Sequence, residues 1–127
     1  MYSVEADKSK RLVIISTVGR VTKEEAKQAA QQVRDILKDF AAGFRVLADF
    51  RWLESMDTAA ARYVAEIMDA LTEKQVALVI RVMPDPHKDI GLNILSQFHY
   101  DSKVPIATYE TLADALQSLV VGEESDQ

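Results

Sequence analysis

Residues 45–66, RVLADFRWLESMDTAAARYVAE, constrain the fold of this chain more than any other stretch. They open with an apolar, β-prone run, 45–50, that ends on Asp49. The seven residues 50–56 read as a loop, and Asp57 and Thr58 then open a pattern of helical period. Asp and Thr are good N-caps, because a side-chain oxygen can accept from the free N–H groups of the first turn. Strand, loop and capped helix in succession belong to α/β domains, which place their sites outside the carboxyl ends of the strands. A helix start also carries partial positive charge and favours anions beside it.

The flanking sequence extends this unit in both directions. Tyr2, Val4 and Ala6 alternate with polar residues, as a half-buried strand does, and a polar turn separates them from a second strand at 12–18. That strand starts Leu-Val-Ile-Ile, a run suited to a position covered on both faces. Thr22 followed by Glu25 has the form of a capping box. Behind it, Ala26, Ala29, Ala30, Val33, Ile36, Leu37 and Phe40 make one apolar helical stripe, with Gly43 expected as its left-handed cap. A helix joining two strands so closely predicts a right-handed parallel crossover. The helix after Asp57 is expected to turn Ala60, Ala61, Val64, Ile67, Met68 and Leu71 inward. A strand follows at 76–83, a helix at 87–100, a short strand at 105–109 and a last helix opened by Thr111. The order ββαβαβαβα predicts one α/β domain over 1–120, with a mixed, mainly parallel sheet. Residues 121–127, VGEESDQ, read as a disordered acidic tail.

Composition sets the outer limits. A length of 127 residues suits one domain with an ordinary core. The net charge of −5, with basic residues scattered among acids, argues against nucleic-acid binding, which needs clustered Lys and Arg. The chain has no cysteine, so disulfides, thiolate metal sites and thiol nucleophiles drop out together. No apolar run approaches the roughly 20 residues of a membrane span, and the N-terminus has no signal-peptide core, which makes the cytoplasm the expected location.

The element order and one spacing resemble the STAS domain superfamily, in particular the SpoIIAA-like anti-sigma-factor antagonists and their relatives. That family has a strand ending in Leu-Asp, then eight positions on an Asp-Ser-Ser-Gly that opens a helix. Here Leu47-Ala48-Asp49 ends the strand, Asp57 falls eight residues later, and Met56 supplies the apolar residue before it. The closing pattern is similar too: Val104-Pro105-Ile106, then Tyr109, Thr111-Leu112 and Ala115-Leu116. The resemblance implies a SpoIIAA-like fold over residues 2–120 and a regulatory role exercised by binding protein. Asp-Ser-Ser-Gly is replaced by Asp57-Thr58-Ala59-Ala60. The serine that the family phosphorylates corresponds to Ala59, which has no hydroxyl, while Thr58 stands where the first serine does.

The remaining candidates for chemistry are sparse. Asp49 and Asp57 are paired carboxylates by type, but a strand end and a helix cap explain them. Asp85, His87 and Asp89 match no metal-binding spacing, and His99, near a helix end, has no nucleophile to serve. The four glycines are isolated, so no phosphate loop is present. An enzyme, a metal and a cofactor are therefore not expected. The small residues 58–61 fit either close helix–sheet packing or the approach of another molecule. Trp52, the only tryptophan, fits either a binding anchor beside Arg51 or a lid on the core. The expected binding surface comprises Asp49, Arg51, Trp52, Met56, Asp57, Thr58, Ala59 and Arg62. Its partner is either a protein, including a second copy in a homodimer, or a small apolar or anionic ligand. A sizeable apolar cavity beneath Trp52 and the Asp57 helix favours the ligand; a flat, packed surface favours the protein.

Overall fold

The computed structural model describes residues 1–84, 99–100 and 103–125, the last five as backbone only. The chain begins with a hairpin of β1 (Tyr2–Asp7) and β2 (Leu12–Val21), antiparallel with Tyr2 opposite Thr17 and Asp7 opposite Leu12. Asp7 closes the turn. Its Oδ1 accepts from Ser9 Oγ at 2.8 Å and from the Lys10 N–H at 3.1 Å, and these bonds hold its carboxyl below the usual range.

Helix α1 (Lys23–Leu37) starts from the expected capping box. Thr22 Oγ1 accepts from the Glu25 N–H at 3.2 Å, and Glu25 Oε1 accepts from the Thr22 N–H at 3.3 Å. Ala26, Ala29, Ala30, Val33 and Leu37 are buried along one stripe, as the periodicity predicts. Gly43 is not its cap. The helix ends at Lys38 in right-handed geometry, and Gly43 takes a φ of 89° in the turn that leads to the next strand.

That strand, β3 (Arg45–Met56), is the longest in the fold and replaces the expected loop at 50–56. It runs parallel to β2 on one side and to β4 (Leu78–Val82) on the other. A 3-10 turn (Thr58–Ala60) and helix α2 (Ala61–Glu73) connect β3 to β4. After β5 (Ile106–Tyr109), parallel to β4, comes helix α3 (Leu112–Ser125). Thr111 Oγ1 accepts from the Asp114 N–H at 3.1 Å near its start. The helix continues to Ser125, past the boundary expected for a disordered tail. The helix expected over 87–100 lies outside the described residues except for His99 and Tyr100, and Asp85, His87 and Asp89 lie outside them too.

The five strands follow one another in chain order across the sheet, β1 forming the antiparallel edge. This is the mixed, mainly parallel α/β sheet expected. Its two faces are covered by different helices. Val13, Val46 and Val79 pack with Val33 and Leu37 of α1 and with Met68 and Leu71 of α2. Leu12, Leu47, Ile80 and Val82 pack with Ala115 and Leu119 of α3. The run at the start of β2 therefore feeds both layers, which is why it has no polar alternation.

Candidate functional site

The expected binding residues fall on β3 and just beyond it, and the backbone explains how they are displayed. Between Ser16 and Val21 of β2 and the paired Asp49 and Met56 of β3, the longer strand must absorb two extra residues. It does so at two irregularities, one between the pairs Ser16–Asp49 and Val18–Trp52, the other between Gly19–Leu53 and Arg20–Ser55. Bulges twist a strand and re-aim its side chains, and they recur beside functional sites. Arg51 falls at the first and has no cross-strand partner in the β2 register. Its N–H donates instead to Asp49 Oδ1 at 3.1 Å.

Asp49 lies within β3 and does not end it, contrary to the expectation from sequence. It is buried, and its carboxylate takes a two-pronged contact from Arg51, with Nε to Oδ1 at 3.0 Å and Nη2 to Oδ2 at 2.9 Å. The bond to Asp49 outweighs desolvation and raises the Arg51 guanidinium above its ordinary value. The same guanidinium stands 5.5 Å from the centre of the Trp52 ring. Charge and aromatic plane are thus held together by one buried acid.

Trp52 is 61% exposed. Its neighbours explain why. Leu53, the next residue, turns to the α1–α2 side and packs with Val21, Ala30 and Tyr63. Trp52 must then point to the other face, beside Val18, which is 44% exposed. Met1 continues the row, since Met1 and Val18 exchange backbone hydrogen bonds at 2.8 and 3.0 Å. α3 covers β4, β5 and the start of β2 and β3, and leaves this corner of the sheet open. In the free chain Trp52 is not a lid on the core.

Asp57 has a different role from the one its sequence position suggests. It makes no side-chain bond to the turn or helix that follows it. Its Oδ1 accepts from Arg20 Nε at 2.8 Å and lies 2.6 Å from Arg20 Nη2, and its Oδ2 reaches the Lys23 N–H at 3.4 Å. It therefore ties the end of β3 to the end of β2 and to the first turn of α1. The cause is the extended strand: the Asp57 N–H still bonds to Val21 O at 2.9 Å, which brings its carboxylate alongside Arg20.

Thr58 and Ala59 are exposed at the start of the 3-10 turn, while Ala60 is fully buried beside Leu53 and Tyr63. Close packing thus accounts for the small residue at 60, while 58 and 59 face outward. Arg62 is exposed, with its guanidinium 5.0 Å from the centre of the Tyr63 ring. Met56 is half-buried against the α1–α2 layer. The expected surface is therefore divided by the sheet. Asp49, Arg51 and Trp52 belong to the α3 side, whereas Met56 packs on the α1–α2 side and Asp57 turns to Arg20. The sequence reading missed Val18 and Arg20, because only the pairing of β2 with β3 brings them to the site.

Away from this corner, His99 Nδ1 lies 2.7 Å from Asp69 Oδ1. Thr72 Oγ1 also donates to the His99 carbonyl at 3.4 Å, so both contacts link His99 to α2. Among the described residues no group of three acids or histidines could hold a metal ion. No helix among them is long and apolar enough to cross a membrane.

No protein-family profile and no curated protein matches the chain. Solved structures do. An uncharacterized protein of the DUF3478 family with a SpoIIAA-like fold, from Shewanella loihica, superposes with a TM-score of 0.68 at 17% identity, over 94% of this chain and 92% of that one. The anti-sigma factor antagonist SpoIIAA in its unphosphorylated form gives 0.67 at 16% identity, over 96% and 99%. An anti-sigma factor antagonist from Mycobacterium paratuberculosis gives 0.57 at 20%, over 94% and 93%. The fold is SpoIIAA-like, as the family resemblance implies. Identities this low speak to the fold alone.

Proposed function

We propose that this protein is a non-enzymatic regulatory module that binds a protein partner through the α3 side of its sheet, with Trp52 as the anchor. One observation carries the reading. The large apolar side chains that are exposed among the described residues are Met1, Val18, Trp52, Leu116 and Val120. Met1, Val18 and Trp52 form the open corner of the sheet, and Leu116 and Val120 belong to α3, the helix on that same side. The outer faces of α1 and α2 contribute none. An apolar surface gathered on one face is the mark of an interaction site, and tryptophan and arginine dominate binding energies.

The likeness to anti-sigma factor antagonists supports a protein as the partner class. SpoIIAA is known in phosphorylated and unphosphorylated forms. At the position that the resemblance gives to the phosphoacceptor, this chain has Ala59, exposed and without a hydroxyl. The module accordingly acts by constitutive contact at that position, with Asp57, Thr58, Ala59 and Arg62 as the rim of the surface.

Immobilised wild-type protein and Trp52→Ala, exposed to native extract, test the reading. The variant should lose captured protein with an affinity drop of about 2 kcal/mol or more, roughly thirtyfold, while keeping its fold. Equal capture by both would overturn the assignment of Trp52.

A further inference from the structure

On the opposite side of the sheet from Trp52, a cavity of about 70 Å³ lies between the strands and the α1–α2 pair. Protein interiors hold few voids larger than a water molecule, so a space this size in a small core is unusual. Three alanines leave it open: Ala26 and Ala29 of α1, and Ala48 of β3. Met56 and Met68 form part of its wall, and both are flexible enough to adapt to an occupant. The wall is apolar almost throughout.

Tyr2, Glu25 and Tyr100 also line the space, but Thr17 is the residue whose polar atom is buried there without a partner. It lines the space, it is 7% exposed, and its Oγ1 has no hydrogen-bond partner. A buried hydroxyl without a partner destabilises a fold by about 1–3 kcal/mol, and no neighbouring group relieves it here. The rest of the lining is mostly apolar, which suits an apolar molecule that carries one hydrogen-bonding group for this hydroxyl. One staggered step about χ1 exchanges the Thr17 methyl and hydroxyl, so the side chain can meet such a group from the wall.

We infer that this cavity is a binding site for a small apolar molecule carrying one hydroxyl or carbonyl group, held by a hydrogen bond to Thr17. An apolar cavity of about 150 Å³ accepts benzene, so this one, at about half that volume, suits roughly three heavy atoms, the size of ethanol or acetaldehyde. The site is independent of the partner surface, because the sheet separates the two.

The four methionines supply the readout. With the methionine methyls labelled with carbon-13, Met56 and Met68 report on the cavity. Met83, which is fully buried, and Met1, which is exposed, are not among its lining and serve as controls. The probes are ethanol, which has a hydroxyl, and xenon, which has none. Both should shift Met56 and Met68 saturably and leave Met1 and Met83 in place. In Thr17→Val the affinity for ethanol should fall about five- to tenfold, and that for xenon should not change. Ala29→Leu fills the space and should abolish both responses; Ala48→Val serves if that variant does not fold. Non-saturating shifts, or equal shifts at all four methionines, overturn the site. An unchanged ethanol affinity in Thr17→Val overturns the role of the hydroxyl and with it the class of ligand.

Discussion

At the scale of single residues, exposure and hydrogen bonding separate roles that sequence leaves joined. Trp52 and Leu53 are adjacent, yet one is exposed and the other buried, because successive residues of a strand face opposite ways. Truncating Trp52 to Ala should therefore change folding stability by less than about 1 kcal/mol, against the ~3–5 kcal/mol expected of a buried tryptophan. Its fluorescence in the free monomer should be red-shifted and easily quenched; a blue-shifted, quencher-resistant emission would contradict this. Asp57 leads to a second prediction. Since its carboxylate holds Arg20 rather than the following helix, Asp57→Ala and Arg20→Ala should be non-additive. A double-mutant cycle should return a coupling of about 0.2–1 kcal/mol, the range of a solvent-exposed ion pair. A coupling of zero would return Asp57 to the role of a local cap.

At the scale of elements, α1 is the clearest case of local determination. Its capping box, apolar stripe and polar outer face are all present in one continuous segment, so each can be read without knowing what packs against it. Thr22→Ala should cost about 1 kcal/mol in chemical denaturation. Glu25 adds a pH dependence. The Met1 ammonium, 2.7 Å away, is the main influence holding its carboxyl below the ordinary 4.5, and the Thr22 bonds add to it. A carboxyl lowered by folding contributes stability above its ordinary pKa and loses it as pH falls through the lowered value. The stability gap between wild type and Glu25→Gln should therefore be widest near neutrality and narrow below pH 4.5. A gap independent of pH would show that Glu25 acts only through its bonds as an acceptor. β3 is the opposite case. Residues 50–56 alternate poorly and include Glu54 and Ser55, which reads as loop, whereas their pairing is set by a strand more than thirty positions earlier.

At the scale of the whole molecule, the two faces of the sheet have different characters. The α1–α2 layer buries two apolar clusters and encloses the cavity. The α3 layer covers only part of its face and leaves the exposed apolar row at the sheet's corner. A surface of this kind suits self-association as well as a different partner, and two-fold pairs are the commonest oligomers. A homodimer is the expected state, sedimenting at twice 14.2 kDa at micromolar concentration. Trp52→Ala should shift it toward the monomer. Sedimentation of wild type at 14.2 kDa alone would rule the dimer out.

What the sequence determined by itself was whatever depends on short-range order. The hairpin, the capping box and the strand–helix alternation each depend on residues close in sequence, and together they lead to a mixed, mainly parallel α/β sheet; its SpoIIAA-like character came from resemblance to the family. The residues proposed for binding were likewise read from one continuous segment, 45–66. Only the tertiary structure decided how that site is displayed. The length of β3, its two irregularities, the turn of Asp57 toward Arg20 and the meeting of Trp52 with Val18 all follow from the pairing of β2 with β3. The cavity beside Thr17 likewise exists only where β2, β3, α1 and α2 come together. Cross-strand hydrogen bonds join residues some thirty positions apart, and local propensity carries no record of which residue will stand opposite.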